Sequence, residues 1–236
     1  MIASVINALL VAVGSAVGLL FKNRIHESSS RYIMVGLGLC VFAIGVDSTL
    51  KSEDTLCVII CMVLGILLGE ALRIEDHLDQ LGETLKKRFS GKENSRFTEG
   101  FMTATLLFCV GSMAIVGSLE AGINGNYSII LSKSVIDCVT AVTFAAAMGV
   151  GVVFSAFTVL IYQGLITLLA IWVGPFLPEA VILEMSGVGG LLIVGLSINM
   201  LGLMGENRVR VGNMLPAVFL PIAYVPFVDW LSGVIG

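Results

Sequence analysis

Two oppositely charged residues, Lys133 and Asp137, lie four positions apart inside an otherwise apolar stretch of the sequence. Four residues make about one turn of an α-helix, so the two side chains share a helix face and can form an ion pair. In the hydrocarbon core of a membrane one such charge costs at least about 2.5 kcal/mol, and charges kept there usually serve a pathway or a ligand site. The pair is therefore the first candidate for a functional site.

The chain around the pair is far more apolar than a soluble protein. Of its 236 residues, 57% are hydrophobic and 13% are charged, and the mean hydropathy is +1.00. This composition predicts an all-α, polytopic membrane protein whose single transmembrane domain covers residues 1–236 and is surrounded by lipid. The 27 glycines fit closely packed transmembrane helices, either within one molecule or in a homo-oligomer.

Eight apolar segments are long enough to cross a bilayer of about 30 Å. They are Ile2–Phe21, Tyr32–Leu50, Leu56–Leu72, Phe101–Leu119, Tyr127–Met148, Val152–Val173, Met185–Met204 and Met214–Ile235. Only Gly149, Val150 and Gly151 separate the fifth segment from the sixth, and without that boundary the count is seven. Pro216, Pro221 and Pro226 are expected to kink the last span.

The basic residues favour eight spans with both termini outside. Under that topology eleven of the 13 Lys and Arg residues lie on the cytoplasmic side, which is the asymmetry expected for inserted helices. They are Lys22, Arg24, Arg31, Arg73, Lys86, Lys87, Arg88, Lys92, Arg96, Arg208 and Arg210. The cytoplasmic connection at 73–100 alternates apolar and charged residues at helical spacing, which predicts an amphipathic helix over 73–90 that orients two spans or docks a partner.

Several neutral polar residues are expected at the depth of the charged pair. Counted from Tyr127 at about 1.5 Å per residue, Asp137 lies about 15 Å into its span, near the bilayer centre. Ser112 and Gln163 reach the same depth in their spans, Thr140 adds a hydroxyl beside the pair, and Glu120 lies near the outer mouth. Asn7, by contrast, is expected to lie close enough to a span end for water and headgroups to solvate it.

The fourth span contains a helix-weakening glycine, Gly111, one residue before Ser112. A discontinuous helix inside a membrane is tolerated where it lines protein or water, so a break here would mark a pathway. A continuous span followed by an ordinary outer loop is the alternative interpretation.

Signatures of soluble and metal-dependent enzymes are absent from the sequence, which has no HExxH, GxSxG or phosphate-binding loop. The two histidines, His26 and His77, and the helically spaced Cys57 and Cys61 do not form a convincing metal site. We expect no enzyme activity, no cofactor, no metal and no nucleic-acid partner. An intramembrane Ser/Lys hydrolase built on Lys133 is disfavoured because the neighbouring serines point away from the amine at about 100° per residue.

The segment 108–122 (FCVGSMAIVGSLEAG), followed by 133–137 (KSVID), closely resembles the bacterial inner-membrane proteins catalogued as domain of unknown function family 554, the YqgA- and YdfK-like proteins. The likeness extends to Gly69 and Glu70, to 99–105 and to 213–217. The resemblance implies a protein of the bacterial cytoplasmic membrane and implies no substrate.

The polar residues together predict a transporter or channel for a small solute or ion. Asp137 would bind a cation or carry a coupling proton, and Lys133 would be its ion-pair partner or contact an anionic group. Ser112, Gln163 and Thr140 would supply neutral ligands, with Glu120 near the outer mouth. The alternative is a membrane scaffold or regulatory protein that docks partners through the 73–90 helix.

Overall fold

The computed structural model describes residues 1–22, 27–89, 97–110, 112–205 and 207–235. Over these residues the chain forms eleven α-helices and no β-strand. The helices are α1 (Ile2–Lys22), α2 (Glu27–Thr49), α3 (Thr55–Ala71), α4 (Ile74–Phe89), α5 (Phe97–Val110), α6 (Ser112–Ile123), α7 (Ser128–Met148), α8 (Gly151–Val173), α9 (Glu179–Met200), α10 (Val211–Met214) and α11 (Pro221–Ile235). The predicted polytopic helical bundle is confirmed.

By length and composition, five of these helices can each cross a membrane, namely α1, α2, α7, α8 and α9. The pair α5 and α6 and the pair that joins Val211–Phe219 to Pro221–Gly233 raise this number to seven if each bent pair is one span. The shorter apolar helix α3, with 17 residues, covers the predicted third span. Gly149, at φ 91°, ends α7 and separates it from α8, so the fifth and sixth predicted spans are two helices.

Both bent pairs lie where the sequence predicted weak points. Helices α5 and α6 meet at an angle of 56°, on either side of Gly111, which is itself outside the described residues. The last pair bends by 41° where a 3₁₀ segment, Leu215–Phe219, leads to α11 at Pro221. A proline has no N–H to donate and cannot continue a regular helix ladder, which explains the second bend.

Glycine allows two central helix pairs to approach closely. A Cβ atom added to Gly14 or Gly18 of α1 would lie 2.4 Å from the carbonyl oxygen of Cys138 or 2.1 Å from that of Val142, both in α7. A Cβ atom on Gly45 of α2 would lie 2.9 Å from the carbonyl oxygen of Gly190 in α9. These contacts fix α1 on α7 and α2 on α9 in a defined register.

The amphipathic helix α4 is fastened to the bundle by its first turn. The backbone N–H of Glu75 donates to Oδ1 of Asn213 at 2.8 Å, and the N–H of Gly212 donates to Oε2 of Glu75 at 2.5 Å. Arg208 forms ion pairs with Glu75, at 3.4 Å, and with Asp79. Helix α4, the start of α5 and the 207–214 segment therefore share one end of the bundle, called the α4 end below.

Candidate functional site

The predicted ion pair is present in the middle of α7. Asp137 is the tenth of the 21 residues of this helix, and its Oδ2 atom accepts a hydrogen bond from Nζ of Lys133. Each residue is 5% exposed. The pair is therefore a buried ion pair, which is favourable only if other groups complete its hydrogen bonds.

Asn7 connects the pair to two other helices. Its Nδ2 group donates to Oδ2 of Asp137 and to Oε1 of Gln163 in α8, each at 3.1 Å. Asn7 and Gln163 are both 0% exposed. The amide of Asn7 thus uses both of its protons to join α1, α7 and α8, and the carboxylate of Asp137 determines which way this amide faces.

Two further contacts surround this polar cluster, defined here as Asn7, Lys133, Asp137 and Gln163. The hydroxyls of Ser4 and Thr167 lie 3.4 Å apart and form a second link between α1 and α8. The ring of Phe108, near the end of α5, has its centroid 5.7 Å from Nζ of Lys133, within the range of a cation–π contact. The bend between α5 and α6 follows three residues later, so the polar cluster adjoins this bent pair of helices.

Two atoms of the polar cluster have no hydrogen-bond partner in the described part of the chain. They are Oδ1 of Asn7, an acceptor, and Nε2 of Gln163, a donor. Leaving a buried polar group unpaired costs about 1–3 kcal/mol, and native proteins seldom retain such groups. An acceptor and a donor that are both free and buried have the capacity to bind a small polar ligand.

The other predicted site residues lie elsewhere. Thr140 donates its hydroxyl to the carbonyl oxygen of Ile136, one turn earlier in α7, and this hydrogen bond directs it to its own helix and not to the polar cluster. Glu120 accepts a hydrogen bond from Asn124 at 3.1 Å near the end of α6. The side chain of Ser112 lies outside the described residues.

The expectation that water and headgroups solvate Asn7 was wrong. Asn7 is fully buried because α1 places it against α7 and α8. A signal was present in the sequence: Ser4, Asn7, Gly14 and Gly18 recur at helical spacing and give α1 one small, polar face. Such a face predicts contact with another helix, and an asparagine on it is expected to find a partner there.

Two cavities lie against α5, and the first of them is at the α4 end. One, of about 500 Å³, lies between α4, α5 and α9 and is lined by Glu75, Asp79, Glu99 and Arg208 among others. The second, of about 280 Å³, is mainly apolar and lies between α5, α8 and the 215–219 segment. Met102 and Leu106 of α5 line both cavities, and Cys109, beside Phe108, lines the second. Among the described residues, no group of three His, Cys, Asp or Glu side chains could hold a metal ion.

The chain is similar to known proteins along nearly its whole length. The model of a family described as "Protein of unknown function (DUF554)" matches residues 2–226. The chain is 28% identical to the "Uncharacterized membrane protein YdfK" of Bacillus subtilis over 94% of each chain. It is also 28% identical to the "Uncharacterized protein YqgA" of Escherichia coli, over 91% of this chain and 92% of that protein. No solved structure matches.

Proposed function

The chain belongs to the DUF554 family of proteins of unknown function, and we propose that it is a transporter or channel that moves a small solute or ion across the membrane. A relative is named as a membrane protein, and no relative supplies a substrate. The proposal therefore depends on the polar cluster of this chain.

The observation that carries the proposal is the burial of an ion pair together with two unpaired amide atoms, Asn7 Oδ1 and Gln163 Nε2. If the polar cluster served only to hold helices together, unused hydrogen-bonding groups would add cost and no benefit. Because the polar cluster joins three helices beside the bend of a fourth, small movements of α5 against α7 would change access to it. Transporters commonly place their ligand sites at interrupted helices near the bilayer midplane.

In this proposal the two cavities form the first part of a route to the polar cluster, although none of its four residues lines them. A solute entering at the α4 end would pass from the larger cavity, which has charged residues in its lining, along Met102 and Leu106 of α5 into the smaller one, which Cys109 helps to line. Cys109 immediately follows Phe108, whose ring contacts Lys133. In this proposal the second half of the route, toward the N-terminus of α1, opens when the first half closes.

The α4 end is proposed to face the cytoplasm of a bacterial cell, with the inner membrane as the location and both chain termini outside. Arg208 contacts Glu75 and Asp79, so the 207–210 loop and α4 lie at the same end of the bundle. Lys51, which pairs with Asp47 at 2.9 Å, belongs to the α2–α3 connection at the opposite end. This distribution of basic residues supports the predicted orientation.

The proposal is tested by measuring thermal unfolding of the purified protein against a panel of ions, protons and small metabolites. A ligand present at a hundred times its dissociation constant adds about 2.7 kcal/mol if it binds only the folded state. We expect one ligand class to stabilise the wild type and the Thr140→Val variant but not Asp137→Asn. If every ligand leaves both wild type and Asp137→Asn unchanged, the transport proposal fails.

The second candidate function is a scaffold that binds a partner through α4. Asp76, His77 and Gln80 are exposed on this helix, while Glu75 fastens it to the bundle. Replacing the exposed residues with alanine would then abolish the biological function, and Asp137→Asn would alter stability alone. The transport proposal predicts the opposite pattern.

A further inference from the structure

The polar cluster is electrically neutral as a unit. Lys133 and Asp137 carry opposite charges. Asn7, which donates to Asp137, and Gln163, which accepts from Asn7, are uncharged. A net charge in a buried site of low dielectric constant is strongly disfavoured. An ion that binds there must therefore be accompanied by the loss or gain of one compensating charge.

Few of the groups that face the ion pair can change their charge to balance that of a bound ion. Helices α1 and α8 present Asn7 and Gln163, which do not titrate. Helix α5 presents Phe108, whose ring centroid lies 5.7 Å from Nζ of Lys133, and next to it in the chain the buried thiol of Cys109.

The other helices that contact α7, α2 and α6, have acidic residues that bind partners outside the pair. Glu120 of α6 is bonded to Asn124, and Asp47 of α2 is exposed and paired with Lys51. Among the described residues at the site, Lys133, Asp137 and the thiol of Cys109 are the groups that can gain or lose a proton, and Lys133 is the one that donates to the carboxylate of Asp137.

The surroundings of Lys133 Nζ favour a positively charged occupant. The ammonium group lies between the carboxylate of Asp137 and the face of the Phe108 ring, both of which attract cations. The Nδ2 group of Asn7 donates both to that carboxylate and to the amide oxygen of Gln163, and Oδ1 of Asn7 is unpaired among the described residues. Oxygen ligands of this kind replace the water around an alkali cation, whereas an anion would meet the Asp137 carboxylate.

We propose that this site binds a monovalent cation in exchange for the proton of Lys133. As the cation binds to Asp137, the ammonium of Lys133 releases one proton to water and becomes a neutral amine. One positive charge enters and one leaves, so the polar cluster stays neutral in both states. This inference rests on the proposed transport function and names its substrate class: an alkali cation exchanged one for one with a proton.

The exchange requires a defined dependence of cation binding on pH. One proton leaves for each cation bound. The apparent dissociation constant of the cation therefore falls about tenfold for each unit by which the pH rises, as long as Lys133 is protonated in the cation-free protein. A site that binds the cation without proton release has a dissociation constant that does not change in this way.

The test is thermal unfolding of the full chain in detergent with sodium, potassium or lithium chloride against choline chloride at pH 7, 8 and 9. The decisive variant is Lys133→Arg, which keeps the ion pair but carries a guanidinium that does not lose its proton. We expect about tenfold tighter cation binding per pH unit in wild type and no cation binding in Lys133→Arg. Lys133→Met, if folded, binds the cation independently of pH, and Thr140→Val behaves as wild type.

Three results would overturn the exchange: cation affinity that is constant with pH in wild type, equal cation binding in Lys133→Arg, or stabilisation that follows the anion and is unaffected by the cation. Liposomes containing the protein separate this failure from that of the transport proposal. A solute flux without proton movement rejects the exchange and retains transport, whereas liposomes that pass no solute or ion reject transport itself.

Discussion

Asn7 in α1 donates a hydrogen bond of 3.1 Å to Asp137 in α7, 130 residues later in the chain. The same amide group reaches Gln163 in α8, so one side chain holds together the three helices that bury the ion pair. This bond places the first span of the protein at its candidate site.

The Asn7 bridge predicts a cost in stability. Leucine has a volume similar to that of asparagine. In Asn7→Leu, Oε1 of Gln163 loses the hydrogen-bond donor Asn7, and Oδ2 of Asp137 loses one of its two hydrogen-bond donors. We expect the free energy of unfolding to fall by about 1–3 kcal/mol, the cost of a buried group left unpaired. Denaturant unfolding in mild detergent measures this change, with Thr140→Val as the control. An Asn7→Leu protein as stable as wild type would show that the bridge contributes nothing.

The charged pair predicts strong coupling between its members. Asp137→Asn leaves the Lys133 ammonium buried without its counter-ion, which is expected to cost about 3–5 kcal/mol. Adding Lys133→Gln to this variant removes the uncompensated charge, so the double variant should be more stable than Asp137→Asn alone. A double-mutant cycle of unfolding free energies checks this, and strictly additive effects would contradict it.

The close contact of α1 with α7 predicts that the glycines of α1 at this contact cannot be replaced by larger residues without loss of stability. In Gly18→Val the new Cβ would lie 2.1 Å from the carbonyl oxygen of Val142, so the helices must separate, at about 1–3 kcal/mol or more. Gly36 of α2 has no atom within 4 Å of such a Cβ. Gly36→Ala should therefore be neutral, or stabilising by up to about 1 kcal/mol from helix propensity. Equal stability of the two variants would contradict the described packing.

The first turn of α4 predicts a pH effect. Burial raises the pKa of the Glu75 carboxyl above its ordinary value, although the Gly212 N–H and Arg208 partly oppose this rise. A group whose pKa is raised in the folded state binds its proton more tightly there, so its contribution is greatest below the ordinary glutamate value, about 4.3. The contribution is lost as pH rises from that value through the raised one.

The unfolding free energy of wild type minus that of Glu75→Gln should consequently fall as pH rises through this window. Asp76→Asn, on an exposed neighbour, is the control and should retain the wild-type trend. A difference between wild type and Glu75→Gln that grows with pH would show that the favourable contacts of Glu75 outweigh its burial.

A buried carboxylate at the opposite end predicts a capping effect. Glu184 in α9 accepts hydrogen bonds from the Ser52 hydroxyl and from the backbone N–H groups of Glu53 and Asp54, just before α3. Hydrogen bonds to a charged group contribute about 1.5–3 kcal/mol, and we expect Glu184→Ala to destabilise by at least that amount. Glu179→Ala, exposed at the start of the same helix, should have little effect, and thermal unfolding of both variants provides the comparison.

Sequence reasoning succeeded where the information was local. Lys133 and Asp137 share one helix, so their spacing alone placed them in contact, and hydropathy located the apolar helices. Glycine and proline marked both bent helix pairs, but a weak point does not determine the angle or direction of a bend. The third predicted span corresponds to α3, a helix of 17 residues.

The rest depended on tertiary contacts. Asn7 meets Asp137 because Gly14 and Gly18 set the register of α1 on α7, and no feature of either segment alone defines that register. Thr140 lies three residues after Asp137 in α7, but its hydroxyl bonds to the backbone of its own helix. Threonine commonly satisfies itself in this way inside helices, so depth was insufficient evidence for a role in the polar cluster.

The most direct test of the account is flux through Asp137. Wild type, Asp137→Asn and Thr140→Val are reconstituted in liposomes at equal density, and uptake is measured for the ligand that stabilises the wild type. The account predicts uptake by wild type and Thr140→Val, and uptake by folded Asp137→Asn no faster than in protein-free liposomes. Wild-type uptake by Asp137→Asn would contradict the central claim that the polar cluster lies on the transport pathway.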